Sequence, residues 1–162
     1  MDSSAVRLAG FLLACLLTAS CAWWFSPKVT VEQAERRTGL DVILPSYLPP
    51  DVSPKFGLEL QGPRDDPQVV ASYFRDDTHL GVMRLTQERA GLEIISIGGA
   101  DKLSVGRATV FLYREGRDPG EIMLSASFDG RWVSLEYLAG EPRPRTELEM
   151  DILNVLQSLL DQ

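Results

Sequence analysis

From residue 55 to residue 138 apolar and polar side chains alternate in short runs, broken by Gly, Pro and Asp. The runs at 55–61, 68–75, 79–87, 92–97, 107–113, 121–128 and 131–138 are rich in Val, Ile, Phe and Tyr. That is the composition and spacing of half-buried strands. Between them lie turn sequences: Asp76-Asp77-Thr78, Gly98-Gly99-Ala100-Asp101, Asp118-Pro119-Gly120 and Asp129-Gly130. Such short connections join antiparallel neighbours. Asp129-Gly130 predicts a two-residue hairpin turn. It sets Phe128 opposite Arg131, Ser127 opposite Trp132 and so on, as far as Ile122 opposite Tyr137. Because strand side chains alternate, one face then carries Ile122, Leu124, Ala126, Val133, Leu135 and Tyr137. The other carries Met123, Ser125, Ser127, Trp132, Ser134 and Glu136.

Two segments carry a helical pattern instead. Residues 30–38 open on Thr30 with Gln33 three positions on, a capping box, and Gly39 follows as a C-cap. Residues 147–160 repeat Leu148, Ile152, Val155, Leu156 and Leu159 along one stripe, with Thr146 expected as cap and Glu149 closing its box. Between the first helix and the strands, Leu44-Pro45-Ser46-Tyr47-Leu48-Pro49-Pro50 excludes both a helix and a central strand. An extended segment pinned to the core is expected there. The pattern predicts an α+β fold: an antiparallel sheet of about six to seven strands, with a short N-terminal helix and a C-terminal helix packed on one face. The apolar face of the 122–137 hairpin should receive that last helix.

The N-terminus has a different pattern. Residues 8–19 form an uncharged run of twelve preceded by Arg7, the layout of a secretory signal. The run ends in Ala19-Ser20-Cys21. Small residues before a Cys at this point resemble the lipobox of bacterial lipoproteins, although Thr18 stands where that family has Leu. The resemblance implies cleavage before Cys21 and a lipid, with acyl chains such as palmitate, on its sulfur. It divides the chain into a signal peptide (1–20), a lipidated tether (21–28) and one α+β domain (29–162). The alternative is an uncleaved anchor, since 8–25 is eighteen residues without a charge. Either way the remainder is expected outside the cytoplasm, at the inner or outer membrane. Trp23, Trp24 and Phe25 suit a bilayer interface.

The domain also resembles a bacterial family, domain of unknown function 4367, found in lipoproteins and in extracytoplasmic parts of membrane regulators. The resemblance rests on Leu44-Pro45-Ser46-Tyr47-Leu48-Pro49 after an early helix, the hairpin at Asp129-Gly130 and a closing helix with Leu156-Gln157-Ser158-Leu159. It covers about residues 30–160. Ser127 departs from it, standing where an aromatic is expected. The family offers no catalytic residues to carry over.

Composition narrows the function. The formal charge is −7, with 16 Lys+Arg against 23 Asp+Glu, which argues against nucleic acid and against electrostatic docking on anionic lipid. Two Cys and one His cannot build a zinc site or a disulfide framework, and no metal or cofactor is expected. No Gly-x-Ser-x-Gly or Ser-x-x-Lys motif is present. His79 beside Asp76-Asp77 reads as a solvated hairpin end, Asp65-Asp66 as a loop, and Gly98-Gly99 lacks the following helix of a phosphate cradle. The expectation is a non-enzymatic module that binds a protein or peptide partner at the cell envelope, held to the membrane through Cys21. The second reading is a carrier or sensor of a lipid or other apolar ligand; a hydrolase is a distant third. Trp132 is the candidate binding residue, being the one large aromatic on the polar hairpin face. Its alternative is burial under a loop or under the 45–50 segment.

Overall fold

The computed structural model describes residues 28–63, 65–75, 81–90, 97–113 and 120–162. Seven antiparallel strands form one sheet: β1 (Phe56–Gln61), β2 (Gln68–Phe74), β3 (Gly81–Arg89), β4 (Ala100–Val105), β5 (Ala108–Tyr113), β6 (Glu121–Phe128) and β7 (Arg131–Leu138). Their order in space is β1-β2-β3-β7-β6-β5-β4. The architecture is α+β, with helices α1 (Val31–Thr38) and α2 (Arg145–Leu160).

The hairpin register agrees with the one expected, from Phe128 opposite Arg131 to Ile122 opposite Tyr137. Asp129 (φ 48°) and Gly130 (φ 70°) both take the left-handed conformation, as a two-residue turn between twisted strands requires. Strand β4 is a correction. Gly98-Gly99 is a turn, but Ala100 and Asp101 belong to a strand, paired with Tyr113 and Leu112. It escaped the pattern because it is an edge strand: Lys102, Leu103 and Ser104 are all exposed, so no alternation marks it. The expected strand at 92–97 lies, apart from its last residue, outside the described residues, as do His79, Asp76-Asp77 and Cys21.

The capping box of α1 is formed: the Gln33 N–H donates to Thr30 Oγ1, and the Thr30 N–H to Gln33 Oε1, both at 3.2 Å. Helix α2 starts earlier than expected. Pro144 is its N-cap, with no side-chain cap, and Thr146 lies inside the first turn. Arginines hold that turn in place of a hydroxyl. Arg143 pairs with Glu147 and Asp151, and Arg145 pairs with Glu149 and donates to the Glu121 carbonyl on β6.

Both helices lie on the same face. Helix α1 sits over β1 and β2, and α2 over β6. Beneath them Leu85, Leu124, Ala126, Val133, Leu135 and Tyr137 meet Leu148, Ile152, Val155, Leu156 and Leu159 in one core. This is the predicted seat of the C-terminal helix. The 45–50 segment is extended along the same side, with Leu44, Tyr47 and Leu48 against the core. The backbone just before it is held by a buried side chain. Gln87 accepts from the Ile43 N–H (3.1 Å) and donates to the Ile43 carbonyl (2.8 Å), so it pairs a backbone that has no strand beside it.

Candidate functional site

The opposite face of the sheet carries no described helix. Its central strands present side chains in cross-strand rows fixed by register. One row runs Lys102, Phe111, Ser125, Ser134, Thr86, Val70 and Glu59. The next holds Thr109, Ser127, Trp132, Glu88 and Gln68. Most of these side chains are half-buried, whereas the same strands' inward residues are fully buried.

Trp132 stands in this face, half-buried, with its ring tilted 34° on Phe111 at 6.0 Å between centroids. The Lys102 ammonium lies 5.9 Å from the Phe111 ring centroid on the neighbouring strand. Phe111 is only 1% exposed. It is therefore the floor on which the indole rests, a tilted aromatic pair rather than a lone ring. The 45–50 segment does not cover Trp132, because it packs against α2 on the other side of the sheet. Beside the aromatic pair the Ser125 and Ser134 hydroxyls bond each other at 3.1 Å. On the other flank Gln68 donates to Glu88, and Arg84 donates to Gln61 at 2.7 Å. A cleft of about 260 Å³ opens on this face between Ser72, Arg84 and Glu136. The arrangement supplies an aromatic surface, hydroxyls, an amide and paired charges. Among the described residues it offers contact and hydrogen bonding.

Sequence reasoning placed Trp132 correctly but missed Phe111. A signal existed: Phe111 is two residues from Thr109, and Thr109 faces Ser127, the partner of Trp132. Using it required the β5–β6 register, which no tight turn announces.

A second polar cluster lies at the Leu138 end of the sheet. Asp51 accepts from the Tyr137 hydroxyl (2.6 Å) and the Gly140 N–H (2.8 Å), and pairs with Arg75 at 3.4 Å. Burial alone would raise the Asp51 carboxyl, but these donors and the guanidinium bring it below the ordinary value. Burial and the Asp51 carboxylate raise the Tyr137 phenol in turn. A Cβ at Gly140 would come within 2.7 Å of the Arg75 guanidinium, so a side chain there would have to displace that group. Tyr47 donates to Asp151 at 3.0 Å, and Arg143 bonds the same carboxylate at 2.6 Å. A cleft of about 530 Å³ lies between Pro50, Asp51, Arg75, Glu141 and Arg143. Asp51 is paired with Arg75, and Arg143 with Glu147 and Asp151, so these groups read as a clamp holding residues 47–51 to the sheet and α2. Among the described residues no group of three His, Cys, Asp or Glu could hold a metal ion.

No family model, curated protein or solved structure matches this chain.

Proposed function

We propose that this chain is a membrane-anchored extracytoplasmic lipoprotein that binds a protein or peptide partner at the bacterial cell envelope, without catalysis. In this reading Cys21 carries the lipid, and the open face of the sheet around Trp132 meets the partner. The observation that carries it is the contrast within one sheet. One face is filled by helices, while the other sets an aromatic pair among small hydroxyl side chains. Central aromatics bordered by polar groups are what binding hot spots use.

The carrier reading draws less support. Space for an apolar ligand would lie between sheet and helices, and there Val133, Leu135, Leu148, Val155 and Leu156 are at 0% exposure, packed on one another.

The test places a photocrosslinking residue at Ser127, next to Trp132, in cells fed labelled palmitate. The expected result is label on the wild-type protein and none on Cys21→Ala. A discrete crosslinked partner should also disappear in Trp132→Ala. Label persisting on Cys21→Ala, or an adduct unchanged by Trp132→Ala, overturns the corresponding half of the reading. His79→Ala should keep the adduct.

A further inference from the structure

The anchor reading leaves open which side of the domain faces the bilayer, and two independent features of the structure answer it. The first is where the chain enters. Lys28 forms a β-bridge with Glu59, and the Val29 N–H donates to the Leu58 carbonyl at 3.0 Å, so residues 28 and 29 add to the free edge of β1. Seven Cα steps separate Cys21 from Lys28. A fully extended chain covers at most about 25 Å in that distance. The β4 edge lies six strand spacings beyond β1, about 29 Å further across the sheet. A lipid on Cys21 therefore keeps β1 close to the membrane and leaves β4 free to stand away from it.

The second feature is charge. Among the described residues four cationic side chains have no hydrogen bond or ion pair: Lys28, Arg36, Arg37 and Lys55. All four are exposed, and all lie on β1, its flanking residues or the last turn of α1, which packs over β1 and β2. The other described arginines each donate to a carboxylate, a carbonyl or an amide, and Lys102 lies against Phe111. Phe56, 39% exposed, adds an aromatic ring beside Lys55. Unpaired cations next to an aromatic are what an anionic headgroup layer attracts. Glu32 and the Asp65–Asp66 turn lie on the same side, so this attraction orients a domain already held by its lipid and does not hold it alone.

We propose that the β1 edge and the adjoining surface of α1 form a membrane-facing surface, seated on anionic phospholipid headgroups through Lys28, Arg36, Arg37 and Lys55, with β4 pointing away. The proposal rests on the anchor reading. In this pose the sheet stands edge-on to the bilayer, and the Trp132 face opens sideways, clear of the lipid.

The full-length protein, expressed with labelled palmitate and carrying a fluorescent amino acid at Pro54 or at Ser104, is reconstituted in vesicles. These contain phosphatidylcholine with or without phosphatidylglycerol, and a headgroup-attached nitroxide quencher. Quenching should be several-fold stronger at Pro54, beside Lys55, than at Ser104 on β4. Combining Lys28→Glu, Arg36→Glu, Arg37→Glu and Lys55→Glu should shrink that difference, as should omitting phosphatidylglycerol. Equal quenching at the two sites, or stronger quenching at Ser104, overturns the proposal. A difference untouched by charge reversal and by lipid charge overturns the headgroup contact. Palmitate label on the same preparation separates the two ideas. Label with equal quenching removes the orientation and keeps the anchor, whereas unequal quenching without label does the reverse.

Discussion

The two faces of the sheet are built from the same strands yet obey different rules. Inward, β6 and β7 present Ile122, Leu124, Ala126, Val133, Leu135 and Tyr137, none more than 1% exposed. Outward, one residue along, they present Ser125, Ser127, Trp132, Ser134 and Glu136, mostly half-buried. The inward face is closed by α1, the 45–50 segment and α2, and its stability comes from removing apolar area from water. The outward face meets no described helix, and among its described residues Phe111, Val70 and Ser125 are buried. A sheet with one face spent on the core has the other available for recognition, and mutations should divide accordingly.

The largest effect should come from the closed face. Leu135→Ala removes a fully buried side chain that packs beneath the helices, and should cost about 2–5 kcal/mol in a denaturation titration. Trp132→Ala should cost clearly less, about half of the roughly 3–5 kcal/mol typical of a fully buried Trp, because the indole is half-buried and loses mainly its contact with Phe111. If Trp132→Ala destabilises as much as Leu135→Ala, the division between faces fails and Trp132 is a structural residue. The smallest effect concerns the clamp at Asp51. Its carboxyl lies below the ordinary value of 3.8 in the folded protein, so the folded state favours the ionised form. Its contribution is fully present above that ordinary value and is lost as pH falls through the folded one. Stability measured from pH 6 to pH 2 should therefore fall more steeply for the wild type than for Asp51→Asn. Parallel profiles would show that Asp51 adds nothing dependent on its charge.

Much of the fold was legible in the chain, and the Asp129-Gly130 hairpin is the clearest instance. Asp and Gly accept the left-handed conformation, the turn sets the register, and alternation then assigns every side chain to a face. The capping box of α1 was legible for the same reason, since its donors and acceptors lie three residues apart. Two local readings failed where distant contacts intervened. The start of α2 is set by Arg145, which reaches across to Glu121, so the Thr146 hydroxyl was a poor guide. Strand β4 is an exposed edge, where burial imposes no alternation and polar side chains carry no cost.

By itself the sequence determined the α+β class, the helices, most strands and the two faces of the 122–137 hairpin, because each follows from neighbours a few residues apart. Only the tertiary structure decided what those faces meet. It put β3 beside β7, slid Phe111 under Trp132, and closed Asp51 onto Tyr137 across 86 residues of chain. It also sorted the charges. A chain of net −7 argued against an anionic surface, yet its unpaired described cations gather along one edge. Net charge is a sum over the chain and is blind to position, whereas the pairings that leave four cations unpartnered exist only after distant segments have met.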